Sequence, residues 1–167
     1  IGCEVYVAPQ GRRRTDRVHE YDAGARHLVL LCENETGYRN LCRLVSAGFL
    51  EGFYIKPRID QELLRAHSEG LIALSACLAG EIPRQILGSN YERAKAYALE
   101  MAELFGPDRF YLEIQDHNIP DQREAARGIL KIHRETGIPL VVTNDAHYLT
   151  RADAAMQDTL MCIQMGK

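Results

Sequence analysis

The sequence lacks any apolar run that approaches the ~18 to 20 residues needed for a membrane-spanning helix, so we expect no integral membrane protein. Its six Pro and thirteen Gly residues follow no period, which excludes a collagen-like chain. Neither sign of charge is in large excess, because 20 basic and 23 acidic residues leave a net charge of -3. The overall field therefore does not attract nucleic acid, and an anionic substrate needs a local basic patch or a bound cation.

The number and spacing of the cysteines do not predict a disulfide framework. The five Cys residues are odd in number and form no CxxC pair, which favours free thiols in a reducing, cytoplasmic compartment. The chain begins Ile1-Gly2-Cys3 without Met, so we expect a fragment of a longer polypeptide. With 167 residues, 46% of them hydrophobic and 26% charged, it is long enough for one globular domain with a sizeable core.

Short apolar runs alternate with helical patterns along the chain. The first run opens the chain, and the polar residues 8–26 that follow it predict a long exposed loop or hairpin. Further apolar runs occur at residues 27–32, 71–75, 110–114 and 139–143. Because these runs are continuous rather than alternating, we predict a parallel sheet covered by helices and hence an α/β fold.

Two helix starts carry the signature of a capping box. Ser89 is followed three residues later by Glu92, and Thr150 is followed by Asp153. In this motif the hydroxyl and the carboxylate each bond a backbone N–H group at the helix start. The pattern therefore predicts helices that begin after Ser89 and after Thr150.

Polar side chains of the kinds that bind metals follow three of the strands. Cys77 follows the run at 71–75, His117 follows the next strand, and Asp145 and His147 follow the last. Since the carboxyl ends of parallel strands meet at one edge of a sheet, we expect these side chains to lie together. Glu4 lies inside the first strand between apolar neighbours, where it needs a partner such as a cation. Cys, His and Asp are preferred ligands of zinc and similar divalent metals.

Each of these residues also has an ordinary structural explanation. Cys77 alone fits a small buried residue, and Asp145 alone fits a turn. Glu4 equally fits an ion pair with one of the arginines. Their joint position after consecutive strands favours the metal hypothesis. The remaining histidines do not share that position, and we assign them to structural or solvated roles: His19, His27, His67 and His133.

A short basic segment offers candidate contacts to phosphate. Lys56-Pro57-Arg58 follows two aromatic residues, and the proline fixes the backbone between the two cations. Lys56 and Arg58 are therefore our candidate phosphate contacts.

Four segments carry a resemblance to a known family. They are GCEVYV (residues 2–7), FYIKPRID (53–60), LSACLAGEI (74–82) and TNDAHYL (143–149). In content and order they resemble the polymerase and histidinol phosphatase (PHP) domain of bacterial DNA polymerase III alpha subunits, over essentially the whole chain. The resemblance implies part of a distorted (β/α)7 barrel with a metal cluster at the carboxyl ends of its strands. Residues 1–167 would form a partial PHP domain, without the opening segment that carries a His-x-His pair.

The resemblance also implies a site and a function. Five residues match metal-ligand positions of the family: Glu4, Cys77, His117, Asp145 and His147. Of these, Asp145, His147 and His117 would also be catalytic, with zinc or manganese as the metal and magnesium as an alternative. The implied activity is a metal-dependent 3′–5′ exonuclease or phosphoesterase on the 3′ end of a DNA primer, within a subunit that as a whole is a DNA-directed DNA polymerase. The implied partners are the other subunits of the holoenzyme, including a separate proofreading exonuclease.

Three alternatives remain open at this stage. In the first, the site has decayed and the domain serves as a docking platform for a proofreading subunit. In the second, the protein is a PHP phosphatase that acts on a small phosphomonoester; Cys77, where such enzymes tend to carry His, disfavours it. The third is a generic metal-binding barrel.

Overall fold

The computed structural model of the chain describes residues 1–13 and 24–166. These residues form six strands and six α-helices, so the predicted α/β class is confirmed. The strands are β1 (Gly2–Val7), β2 (Arg26–Cys32), β3 (Arg58–Ile59), β4 (Leu71–Leu74), β5 (Phe110–Ile114) and β6 (Leu140–Val142). The helices are α1 (Glu35–Leu50), α2 (Gln61–Ala66), α3 (Glu81–Leu87), α4 (Tyr91–Phe105), α5 (Pro120–Thr136) and α6 (Ala154–Met165). Of the polar segment 8–26, residues 14–23 lie outside the described residues.

The strands form one sheet in the order β3-β1-β2-β4-β5-β6. The pairs β1–β3, β4–β5 and β5–β6 are parallel, whereas β2 is antiparallel to both of its neighbours, β1 and β4. The prediction of parallel strands therefore needs one correction, at β2. A parallel pair needs a long crossover, usually a helix, and the sequence between β1 and β2 has no helical pattern. Closure of this sheet into a seven-stranded barrel stays a prediction.

The direction of β2 decides what lies at the functional edge of the sheet. In the register of the two antiparallel pairs, His27 lies opposite Tyr6, and Val29 lies opposite both Glu4 and Leu74. The amino-terminal end of β2 therefore lies beside the carboxyl ends of β1 and β4. As a result, His27, near the start of β2, lies at the same edge of the sheet as the residues that follow β1 and β4.

The two faces of the sheet differ in burial. One face carries Val5, Leu28 and Leu30, which are buried in a single hydrophobic cluster with residues of α1, α3, α4 and α5. The other face carries Glu4, Tyr6 and His27, which remain partly or largely accessible. Burial of the first face stabilises the sheet, at ~25 cal/mol per Å² of apolar surface. The second face is left free to carry polar side chains.

The turn between β4 and α3 is tightly constrained. The Gly80 N–H donates to the Cys77 carbonyl at 2.8 Å, and a Cβ at position 80 would lie 2.2 Å from the Ser75 carbonyl oxygen. Only glycine fits there without moving the backbone. Glu81, the next residue, forms a buried ion pair with Arg26, with 2.7 Å between Nε and Oε2. The turn that carries Cys77 is thereby fixed to the start of β2.

The two predicted capping boxes have different outcomes. Thr150 and Asp153 form the box as predicted, at the start of the 3₁₀ helix Arg151–Asp153 that leads into α6, and the Thr150 N–H donates to the Asp153 carboxylate at 2.9 Å. The prediction for Ser89 is wrong, because α4 begins after Asn90 and has no side-chain cap. Ser89 has a φ of 61°, whereas a residue in the N-cap position adopts an extended backbone.

The last helix differs from the others in its surroundings. None of the residues of α6 is buried, and Leu160 and Ile163 are exposed. Despite these apolar residues, no helix among residues 1–13 and 24–166 has the length and apolar character needed to cross a membrane.

A buried carboxylate connects the start of α2 to the segment after β1. Asp60, which is 7% exposed, accepts hydrogen bonds from the backbone N–H groups of Leu63 and Arg12, both at 3.0 Å. The Arg12 guanidinium lies 2.9 Å from the same carboxylate. Burial alone would raise the pKa of the Asp60 carboxyl, but the N–H groups of Leu63 and Arg12 and the guanidinium together hold it below its ordinary value.

We expect Asp60→Ala to lower the free energy of unfolding by about 3 kcal/mol at pH 7, because it removes the side-chain cap of α2 and one of the two carboxylates that bond Arg12, the other being Glu51 at 2.9 Å. Since the pKa of Asp60 is lower in the folded than in the unfolded protein, its contribution is present above about pH 4 and is lost as the pH falls through the folded-state value. Urea unfolding at several pH values measures both effects. The control is Glu62→Ala, at an exposed residue of the same helix. If the difference in free energy of unfolding between wild type and Asp60→Ala did not become smaller in acid, this account would be contradicted.

Candidate metal centre

Three side chains of metal-binding type meet at the carboxyl edge of the sheet. Glu4, His27 and Cys77 each offer a ligand atom, and these atoms all lie within 4.8 Å of one another. The Glu4 Oε1 atom is 3.1 Å from His27 Nδ1, and the Cys77 Sγ atom is 3.6 Å from the same nitrogen. In the part of the chain that the structure describes, this is the one such group of three.

The register of the sheet explains why these residues meet. Glu4 lies opposite Val29, and His27 is two residues from Val29 on the same face of β2. Such diagonal neighbours across an antiparallel pair are within reach of long side chains. Cys77 arrives from the tight turn after β4, and the backbone N–H of His27 donates to the Ala79 carbonyl of that turn at 3.2 Å.

The electrostatics of the cluster show a site that attracts positive charge. Hydrogen bonds to Cys77 and then to Glu4 raise the pKa of His27 to about 9. The hydrogen bond from His27 lowers the pKa of Glu4, and the positive charge of Lys56 lowers it further. The proton on His27 thus lies between a carboxylate and a thiol.

The donor set fits a divalent metal. One carboxylate oxygen, one imidazole nitrogen and one sulfur are ligands that zinc accepts in proteins. Three protein ligands leave a further position for water or substrate, which is typical of catalytic rather than structural zinc. The residues present therefore fit the metal that the sequence predicts.

The other predicted ligands lie on loops after β5 and β6. His147 interacts electrostatically with Glu4, and its Nδ1 atom is 3.9 Å from the Asp145 carboxylate and 2.7 Å from the Asp145 carbonyl oxygen. His117 does not contact the first cluster directly, and its Nε2 atom lies 2.8 Å from the carbonyl oxygen of Asn144. The structure thus brings Glu4 and Cys77 together through His27, and joins His117 to the loop that carries Asp145 and His147.

Left-handed backbone occurs at or beside three of the candidate ligands. Six non-glycine residues in the described ranges have positive φ, and three of them adjoin or belong to the predicted set. Ala76 precedes Cys77, Asn118 follows His117, and Asp145 is itself a predicted ligand. Asn and Asp adopt this conformation readily, whereas for Ala76 it costs about 1–3 kcal/mol.

The two candidate phosphate contacts have different surroundings. Lys56 is exposed, its Nζ atom donates to the Tyr6 hydroxyl at 3.1 Å, and it lies 4.4 Å from the centroid of that ring. Arg58 is buried and donates to the carbonyl oxygens of Gly52 and Arg12 at 3.1 and 2.9 Å. Arg58 therefore holds neighbouring loops together, whereas Lys56 lies beside the cluster and remains open to a ligand.

His27 is the residue of this cluster that sequence reasoning missed. We assigned it to a structural or solvated role because it begins a strand, and strand starts lie far from the site in a parallel sheet. The signal that would have found it is the polar link between β1 and β2, whose lack of a helical pattern favours an antiparallel pair.

Replacement of His27 tests the cluster directly. We expect His27→Ala to weaken zinc binding by at least about 10-fold. Loss of a residue that only orients a metal ligand typically lowers metal affinity by about 10-fold or more, and loss of the ligand itself should lower it at least as much. Isothermal titration calorimetry on the full chain measures this affinity. His67→Ala is the matched control, because His67 ends α2 away from the cluster. Equal affinity of the two variants would remove His27 from the site.

Comparison with known proteins identifies the family of the chain. The family model described as the PHP domain matches residues 1–117. The chain is similar over all or nearly all of its length to proteins named DNA polymerase III subunit alpha. The Treponema pallidum protein is 47% identical over 100% of this chain, and the Thermus aquaticus protein is 46% identical over 98% of it. The chain spans 14% and 13% of the lengths of these two relatives. On the family match and on these identities, the chain belongs to the PHP domain family.

Proposed function

We propose that this chain forms part of the PHP domain of a replicative DNA polymerase subunit and contributes to a metal-dependent site that cleaves phosphodiester bonds from the 3′ end of DNA. The observation that carries this proposal is the meeting of Glu4, His27 and Cys77 at one edge of the sheet. The relatives that bear the name DNA polymerase III subunit alpha support the polymerase context.

The residues divide into two groups that would hold cations. Glu4, His27 and Cys77 form the first group, and the sulfur favours zinc over magnesium or manganese, which prefer oxygen ligands. Asp145 and His147 form the second, with the carboxylate and the imidazole of one short loop. A divalent ion in such a site supplies Lewis-acid chemistry that stabilises the negative charge of a phosphodiester attacked by water.

The protein side chains have roles of their own. Lys56 binds a phosphate oxygen near the cluster, because its ammonium group is exposed beside Tyr6. His147 donates its Nδ1 proton to the Asp145 carbonyl, which leaves the Nε2 lone pair available as a ligand. Water is the nucleophile in this proposal, so no covalent intermediate with the protein is needed.

The cellular setting follows from the same proposal. The substrate is the 3′ end of a DNA primer, and the partners are the other subunits of the polymerase holoenzyme, including a proofreading exonuclease. All five cysteines are free, and this is consistent with a reducing compartment such as the cytoplasm.

Substitution of Asp145 tests the proposed activity. We expect Asp145→Ala to slow manganese-dependent 3′–5′ cleavage of primer–template DNA by about 100-fold, which corresponds to an increase of roughly 2.7 kcal/mol in the activation free energy. The assay uses the full-length polypeptide of which this chain is a part. The matched control is Asp158→Ala on α6, which is exposed and outside the site. Cleavage rates of end-labelled DNA, with metal content measured in parallel, give the result.

The outcomes separate the alternatives. Unchanged cleavage in Asp145→Ala would place the activity elsewhere. A wild-type protein without bound metal or cleavage would favour the docking platform, and faster hydrolysis of a small phosphomonoester than of DNA would favour a phosphatase.

The proposed phosphate contact has a separate signature. We expect Lys56→Gln to weaken DNA binding and to reduce the slope of log affinity against log salt concentration by about 1. Lys131→Gln is the matched control, because Lys131 also lies over a tyrosine ring, 4.0 Å from the centroid of Tyr91, on α5. Fluorescence anisotropy at several salt concentrations measures both slopes, and equal slopes in wild type and Lys56→Gln would exclude the contact.

A further inference from the structure

Two stacked phenylalanine rings are exposed at the end of α1. Phe49, in the last turn of the helix, and Phe53, just beyond it, are each 57% exposed. Their ring centroids lie 6.3 Å apart, with 26° between the ring planes. Phenylalanine is among the residues most often buried, and Leu50 and Ile55, which lie close by in the sequence, are exposed as well. A group of exposed apolar residues of this kind marks an interaction site.

The turn that follows these rings is held in a fixed shape. Arg58 Nε donates to the Gly52 carbonyl at 3.1 Å, and a Cβ at position 52 would lie 1.9 Å from the Arg58 carbonyl oxygen. Within the turn, the Tyr54 N–H donates to the Lys56 carbonyl at 3.0 Å. Ile55 has a φ of 66°, a left-handed backbone that a β-branched residue rarely adopts. The surrounding structure therefore enforces this turn, and strain of this kind clusters at segments that hold a ligand.

The turn ends beside the candidate metal centre. Lys56 Nζ donates to the Tyr6 hydroxyl at 3.1 Å, and the Tyr6 ring meets the His27 ring edge-on with 4.9 Å between centroids. A cavity of about 70 Å³ joins the two regions, because Glu4 and Phe49 both line it. The exposed rings and the candidate metal ligands therefore belong to one continuous surface.

Lys56 gives this surface a positive charge. Its ammonium group is exposed, and in the described part of the chain its hydrogen-bond and ring contacts are both to the neutral Tyr6. A cation held by the metal cluster would add positive charge on the far side of Tyr6. The surface thus combines flat aromatic groups with a local attraction for anions, although the chain as a whole has a net charge of -3.

We propose that the rings of Phe53 and Phe49 form a stacking platform for an unpaired base near the 3′ end of a DNA strand, and that Lys56 binds the adjoining phosphate. A single strand offers both of the required chemistries, since every base has a flat π-face and every linkage has a negative charge. Proteins hold such strands by base–aromatic stacking beside cations. This inference rests on the proposed function and deepens it, because it makes the substrate an unpaired 3′ end.

The geometry of stacking explains the preference for an unpaired base. Within a duplex, neighbouring bases cover both faces of each base, so a protein ring gains a contact only after the base leaves the stack. An unpaired base can turn outward and place one face against Phe53 without that cost. Phe49 packs against Phe53 from its own side and holds the ring in place before DNA binds, which reduces the entropy lost on binding.

Photochemical crosslinking to the full-length polypeptide tests the contact directly. The probe is an oligonucleotide with 5-iodouracil at its unpaired 3′ end, which crosslinks to an aromatic side chain that stacks on it, and mass spectrometry identifies the residue. Chelation of metal prevents cleavage of the probe. We expect crosslinks to Phe53 or Phe49, at a yield at least about 10-fold above that of a duplex with the same base paired. If no crosslink formed within residues 49–56, something else would cover the rings and the proposal would be wrong.

Substitution of Phe53 separates stacking from general apolar docking. Phe53→Leu keeps an apolar side chain but removes the ring. We expect it to raise the KM for 3′–5′ cleavage of a single-stranded oligonucleotide about 10-fold, with little change in kcat, because the platform binds substrate and transition state alike. Phe53→Trp should retain the wild-type KM. The matched control is Tyr38→Leu, at an exposed aromatic residue near the start of the same helix, which should have no effect.

The outcomes distinguish this inference from the proposed function. Equal KM values for wild type and Phe53→Leu would overturn the platform, while the observed cleavage would leave the proposed function intact. A polypeptide that crosslinks at Phe53 but cleaves no DNA would support the platform and count against the proposed function. If Phe53→Leu lost affinity for another protein and not for single-stranded DNA, the rings would form a protein interface, which would also overturn the platform.

Discussion

The contact of His27 with Glu4 and Cys77 depends on the direction of one strand. Because β2 runs antiparallel to β1 and β4, its first residues lie at the edge where the other strands end. If β2 ran parallel to its neighbours, His27 would lie at the opposite edge, and Glu4 would lose its hydrogen bond to His27. The candidate metal centre therefore depends on the antiparallel direction of β2.

The surrounding structure holds this arrangement in place. The buried Arg26–Glu81 ion pair joins the start of β2 to α3, and Gly80 allows the close turn that presents Cys77. Desolvation of the two charges is costly, and this cost is offset because Gln85 also donates to the Glu81 carboxylate, at 2.7 Å, and Arg26 also donates to the Gly24 carbonyl, at 2.6 Å. The fold thus places rigid backbone beneath the candidate ligands, which reduces the cost of ordering them when a cation binds.

Local signals in the sequence predicted much of this molecule. The helix start at Thr150 follows from a motif of four residues, and the strand that precedes Cys77 follows from a short apolar run; both depend on near neighbours in the chain. The start of α4 was missed because Ser89 adopts a left-handed backbone, which its sequence motif does not reveal. The direction of β2 was missed because the continuous apolar runs indicated a parallel sheet, although the link between β1 and β2 lacks the helical pattern that a parallel crossover needs. His27 was missed for the same reason. The burial of Arg58 was missed because it depends on the carbonyl groups of Gly52 and Arg12, which lie on two other loops.

X-ray absorption spectroscopy of the zinc-loaded protein tests the central claim most directly, because it identifies the atoms bound to the metal. If Glu4, His27 and Cys77 bind one ion together, the spectrum will contain one sulfur ligand at about 2.3 Å beside nitrogen and oxygen ligands, and Cys77→Ser will remove the sulfur contribution. A zinc spectrum with no sulfur ligand, or one that Cys77→Ser leaves unchanged, would contradict the account.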